Sequence, residues 1–153
     1  MGCPADLAEP LRRGEGVVAI GVDVSADAVT AVVADGRGSV ISSVERPVPR
    51  QCRADADRLA QEIGSAIQSL CAGLADDLSG EVSGAAALVG VSVPGVVDEN
   101  EGRVRRSETL GLQDAPLASL VRRSLSSQAS GSPGLSGGLE VRLYQDAGCG
   151  AWA

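Results

Sequence analysis

Residues 19–43 read AIGVDVSADAVTAVVADGRGSVISS, and the rhythm of their apolar residues decides the fold. Valine and isoleucine concentrate in two runs, residues 16–25 and 28–35, separated only by Ala26-Asp27. Branched side chains favour the extended chain, and so short a break between two such runs marks a hairpin. Asp35-Gly36-Arg37-Gly38 makes a second turn, and residues 39–48, SVISSVERPV, make a third strand. Three sequential strands with tight turns form an antiparallel meander. An aspartate beside the first turn suits a plain hairpin, and it also suits a loop that folds around a phosphate.

The periodicity changes downstream. In residues 54–80, Leu59, Ile63, Ile67, Leu70, Leu74 and Leu78 recur at intervals of three or four, the spacing of one helix face. Asp55 and Asp57 place negative charge at the helix start, and Gly80 suits its exit. GAAALVGVSVPG, residues 84–95, reads as a buried strand ended by Pro94-Gly95. DAPLASLVRRSL, residues 114–125, reads as a short helix, with Asp114 as cap and Pro116 in its first turn. Residues 126–138 are rich in Ser, Gly and Pro and read as a flexible loop. LEVRLY then gives a last strand, with a helix opening at Asp146.

The order β-β-β-α-β-α-β-α specifies an α/β domain with a mixed five-stranded sheet. Residues 1–15 are expected to be a flexible tail and 16–153 a single lobe. The first, fourth and fifth strands can run parallel, and ligands of α/β sheets sit beyond the carboxyl ends of such strands. Those ends carry Asp23 to Asp27, Pro94-Gly95 and Gln145-Asp146.

Composition narrows the chemistry. Of 153 residues, 44% are hydrophobic, yet there is no Phe, one Trp and one Tyr, so the core rests on Val, Leu, Ile and Ala. All thirteen basic residues are Arg, and the net charge of −7 argues against nucleic-acid binding by this chain. With no His and no paired Cys spacing, neither a zinc site nor a His-dependent triad is expected. Four scattered cysteines and no signal-like segment read as reduced thiols of a cytoplasmic protein, and no run reaches membrane-spanning length.

Without histidine, a carboxylate is the natural general base. Asp146 follows a strand and opens a helix, where it is either that base or an ordinary N-cap. Asp23, at the end of the first strand, either holds hydrated magnesium near phosphate or is simply a polar strand end. Asp98, Glu99 and Glu101 read as a solvated acidic turn rather than a metal cluster.

Together these segments resemble the ROK family of bacterial sugar kinases and sugar-responsive repressors, within the actin/hexokinase/Hsp70 ATPase superfamily with its ribonuclease H-like fold. The resemblance is strongest in VGVSVPGVVDENEGRVRRSETLGLQDAPLASLV, residues 89–121, and extends to VRLYQDAGCGAWA and to the opening hairpin. It implies that Asp146 is the catalytic base if the protein is a kinase. It places Asp23, Ser25 and Asp27 in the nucleotide-binding hairpin. Pro94, Gly95, Thr109 and Gln145 take the positions that line the sugar cleft. ATP and magnesium would be the cofactors of a complete kinase, and none is expected for this lobe alone.

The sequence also departs from the family pattern. Where the kinase hairpin reads Asp-x-Gly-x-Thr, Ser25 replaces the Gly and Asp27 the Thr, and that carboxylate repels phosphate. Gln145 and Thr109 stand where the family has sugar-binding Asn residues. The chain holds no Glu-x-Gly-His motif, so the resemblance covers the N-terminal lobe only. The expectation is a regulatory, sugar-responsive lobe that is not itself catalytic, with a kinase lobe as the alternative and an unrelated interaction domain as a third. Its expected partners are a sugar, and a C-terminal lobe or a second copy.

Overall fold

The computed structural model describes residues 18–34, 38–77, 87–128 and 139–146. Strands β1 (Val18–Val24), β2 (Ala28–Ala34) and β3 (Val40–Pro47) form the antiparallel meander. Helix α1 (Ala56–Asp77) leads to β4 (Ala87–Val93), helix α2 (Leu117–Gln128) to β8 (Leu139–Gln145). The main sheet runs β3-β2-β1-β4-β8, and β1, β4 and β8 are parallel. The mixed five-stranded α/β sheet expected from the sequence is therefore present.

Alternation explains which face is buried. Ile20, Val22 and Val24 of β1, Val29, Ala31 and Val33 of β2, and Val89, Val91 and Val93 of β4 are all buried. They share the core with Leu59, Ile63, Ile67 and Leu70 of α1 and Leu117, Val121 and Leu125 of α2. The helical stripe read from the sequence thus packs on the sheet up to Leu70. The core is aliphatic, as the composition requires: its largest fully buried side chains are Leu, Ile and Val. Asp55 caps α1, its carboxylate accepting the Arg58 amide at 3.0 Å.

Between β4 and α2 lies a second sheet, β5 (Val96–Asp98), β6 (Arg103–Ser107) and β7 (Leu112–Ala115), all antiparallel. The acidic turn read at Asp98, Glu99 and Glu101 joins β5 to β6, whereas the sequence hides β7, which is only four residues long. Two glycines make this small sheet possible. Gly95 has φ +120°, and a Cβ there would stand 2.3 Å from the Arg106 carbonyl oxygen. Gly102, at φ +64°, packs where a Cβ would be 2.6 Å from that of Ala118, and its carbonyl accepts the Ala118 amide at 3.1 Å.

Three expectations are corrected. Asp114 does not cap α2: it lies in β7 with a left-handed φ of 48°. Its carboxylate is drawn to Arg103 Nε at 3.2 Å and Arg105 Nη1 at 2.9 Å, and Arg103 Nη2 also donates to its carbonyl at 2.8 Å. Pro116 precedes the helix instead of lying within its first turn, and its carbonyl accepts the Leu120 amide. The helix then runs to Gln128, so Ser126, Ser127 and Gln128 are helical rather than loop. Ser126 Oγ donates to the Arg122 carbonyl and Ser127 Oγ to that of Ser124, so both hydroxyls are satisfied within the helix. The remainder of that loop, residues 129–138, and the N-terminal tail lie outside the described residues, as do Leu78 and Gly80.

Candidate functional site at the carboxyl ends of the parallel strands

Register brings the strand tips together. Asp23 of β1 lies beside Ser92 of β4, Ser92 beside Tyr144 of β8, and Val93 beside Gln145. Because Val91 and Val93 point into the core, Ser92 faces the opposite side of the sheet, with Asp23 and Tyr144. Ser92 Oγ donates to Asp146 Oδ1 at 3.5 Å, a long bond between two side chains that share this edge. Asp23, Gln145 and Asp146 are exposed. Tyr144 turns its ring over Gly90, where a Cβ would meet Cε2 at 3.3 Å.

Ser92 is the residue that sequence reasoning missed. Its signal was legible: in Val89-Gly-Val-Ser-Val93 it is the one polar side chain, at the strand's last outward-facing position. A hydroxyl there can orient a carboxylate and share its hydrogen bonds with a ligand hydroxyl.

The Pro94-Gly95 corner follows β4 and packs on Arg106 and Ser107 of β6. Ser107, buried, accepts the Leu110 amide through Oγ at 3.2 Å and so closes the turn that carries Thr109. Thr109 is exposed on that turn. The same turn is tied to the main body by the Ala54 amide, which donates to the Leu110 carbonyl at 2.9 Å. The Pro94-Gly95 corner thus packs on β6 ahead of the turn that carries Thr109, and Asp23, Ser92 and Gln145 lie at the carboxyl ends of the parallel strands, with Asp146 next in the chain.

The hairpin tip between β1 and β2 is built differently from an open anion cradle. It has no glycine, and neither Ala26 nor Asp27 has a positive φ. The Ser25 hydroxyl fills the turn: Oγ accepts the Ala28 amide at 3.0 Å and the Asp27 amide at 3.4 Å, and donates to the Ala28 carbonyl at 3.1 Å. The Ser25 amide also bonds the Ala28 carbonyl at 2.9 Å. Asp27 projects outward with its side chain 93% exposed, 4.0 Å from Arg53 Nη2. The Ser25, Asp27 and Ala28 amides are engaged within the turn, and a carboxylate stands at its tip.

The acidic turn is bound by arginine. Arg105 Nη2 meets Asp98 Oδ2 and Glu101 Oε2, each at 2.9 Å, while its Nη1 reaches Asp114. The Glu101 amide, followed by Arg105, holds the Asp98 carboxyl below its ordinary pKa. Arg103 and then Arg105 do the same for Asp114. Among the described residues, no group of three or more His, Cys, Asp and Glu is arranged to hold a metal ion. Cys52 and Cys71 are free thiols whose pKa values burial raises, which makes them poor nucleophiles at neutral pH.

The backbone resembles solved structures of one kind. A ROK family transcriptional regulator, homologous to the E. coli MLC protein, superposes with a TM-score of 0.64 at 13% identity. That match covers 87% of this chain and 28% of the regulator. A ROK family glucokinase from Streptomyces griseus, solved with glucose and AMPPNP, matches with a TM-score of 0.57 at 24% identity over 88% of this chain and 35% of its own. ROK hexokinase from Thermus thermophilus matches at 0.58 and 21%, over 85% and 35%.

The fold is that of ROK-family proteins.

No protein-family model and no curated protein matches the sequence. The chain spans about a third of the length of these ROK structures. No described helix is long and apolar enough to cross a membrane.

Proposed function

We propose that this chain is the N-terminal lobe of a cytoplasmic, ROK-type sugar-responsive regulator whose role is binding rather than phosphoryl transfer. The observation that carries this reading is the self-filled hairpin: Ser25 Oγ takes up the Asp27 and Ala28 amides, and Asp27 sets a negative charge where phosphate would approach. The lobe would present a sugar to Pro94, Gly95 and Thr109 and to the strand tips at Ser92, Gln145 and Asp146. Closing a cleft around it requires a second lobe. Neither nucleotide nor magnesium enters this reading, and DNA contact belongs to a segment other than this negatively charged one.

One observation favours a kinase lobe instead. Ser92 and Asp146 form a hydroxyl–carboxylate pair at the sheet edge, and a carboxylate so placed can take a proton from a sugar hydroxyl. Both readings share the sugar and differ in the nucleotide. Calorimetric titration of the full-length protein with a hexose panel, and separately with an ATP analogue and magnesium, separates them. The regulator reading expects sugar binding without nucleotide binding. Sugar-dependent ATP consumption that disappears in Asp146→Asn would overturn it.

A further inference from the structure

We infer that Ala54 is a positioning residue for the candidate site: its left-handed backbone fixes the turn that carries Thr109, so a ligand that Ala54 does not touch feels a change there. The inference rests on the reading of Thr109 as part of a sugar-binding surface. Among the described residues, Ala54 (φ 58°) and Asp114 (φ 48°) are the non-glycine residues with positive φ. That conformation costs energy for any residue with a Cβ, and it persists only where the surroundings hold it. Asp114 is held by two arginines through its carboxylate. Alanine has no polar side chain, so its backbone bond and its packing must do the holding.

Ala54 is anchored on both sides. Arg50–Cys52 form a single 3₁₀ turn with the Cys52 side chain buried, and the Arg53 amide closes it on the Arg50 carbonyl at 3.1 Å. Asp55 starts α1, accepting the Arg58 amide through its carboxylate and the Leu59 amide through its carbonyl, each at 3.0 Å. Between these anchors the Ala54 amide donates to the Leu110 carbonyl at 2.9 Å. Gly111 completes the joint: a Cβ there would stand 3.2 Å from the Ala54 nitrogen and 3.3 Å from its Cβ, so two small residues let the backbones approach. The receiving turn is closed on itself, by the Leu110 amide on Ser107 Oγ at 3.2 Å and the Gly111 amide on the Glu108 carbonyl at 3.3 Å. The Leu110 side chain is buried, and Thr109 is exposed between those two bonds. A shift at the Ala54 joint therefore carries Thr109 with its turn.

Two variants that keep the amide donor test this. Glycine adopts positive φ freely, whereas a β-branched residue resists it. In calorimetric titration of the full-length protein with hexoses, Ala54→Val is expected to weaken binding at least about tenfold, and Ala54→Gly to stay within about threefold of the wild type. In amide NMR spectra without sugar, Ala54→Val is expected to move the resonances of residues 108–111 and to leave that of Ala118 in place. Ala54→Gly is expected to keep residues 108–111 near their wild-type positions. If Ala54→Val fails to fold by circular dichroism, hydrogen exchange of the wild type decides, and the Ala54 and Leu110 amides are expected to share a protection factor within about threefold. Unchanged binding and resonances in Ala54→Val, equal losses in the two variants, or an Ala54 amide exchanging at least about tenfold faster than that of Leu110 would each overturn the inference. A wild type that binds no hexose would overturn the sugar reading and the ligand half of this inference, and the resonances and exchange rates would still decide whether Ala54 fixes the turn.

Discussion

The Ser25 hydroxyl and the Ala28 amide sit 3.0 Å apart, and this bond closes the hairpin that begins the domain. Tight two-residue hairpins normally use glycine or asparagine with positive φ. Here a side chain substitutes for that backbone freedom by bonding both the amide and the carbonyl of Ala28. Removing the hydroxyl should therefore cost stability. Ser25→Ala is expected to lose about 1 kcal/mol and to lower the melting temperature by about 2–4 °C, read by thermal circular dichroism. A melting temperature equal to the wild type's would show that the bond carries no net stability.

Gly95 leads to a stronger expectation. An alanine there combines φ +120° with a Cβ 2.3 Å from backbone oxygen, and backbone cannot rotate away as a side chain does. Gly95→Ala should destabilise the protein by about 3 kcal/mol in urea unfolding. Unfolding at the wild-type midpoint would mean that the corner relaxes.

Arg105 makes stability depend on acid. Asp98 and Asp114 are both depressed below the ordinary carboxylate value of 3.8 in the folded protein. The unfolded chain then binds protons first as pH falls, so their contribution is present above about pH 4 and is lost as pH drops through the folded values. Asp114 is exposed and Asp98 half-buried, and both pairs reach solvent, so the effect is small and sensitive to salt. In melting temperature against pH between about 2 and 6, Arg105→Gln should flatten the acid limb relative to the wild type. Parallel curves would show that the cluster contributes nothing.

Ile63 tests the aliphatic core. It is fully buried on α1, and Ile63→Ala should cost about 2–5 kcal/mol through lost contacts and the cavity left behind. A loss below about 1 kcal/mol in chemical denaturation would mean that the helix settles onto the sheet and fills the space.

The main sheet was legible because its signals are periodic. The β1–β2–β3 meander and the α1 stripe from Leu59 to Leu70 follow from spacing, and the order of strands and helices allows β1, β4 and β8 to run parallel, as they do. β7 was not legible, since Leu112–Ala115 is too short to show alternation. Asp114 was misread because an aspartate ahead of a Pro-Leu helix start has the local form of a cap. Two arginines distant by nine and eleven residues decide its place instead. At the site, the strand tips were readable from topology. The Ser92–Asp146 bond was not, because it joins residues 54 positions apart.

The carbonyl of Gly102 that receives the Ala118 amide has a consequence for how the molecule opens. An early amide of α2 is satisfied by a turn of the small sheet, so unravelling either element strips a hydrogen bond from the other. The small sheet and α2 are thereby one cooperative unit, and in native-state hydrogen exchange the Ala118 amide should share its opening free energy with the β5–β6 ladder.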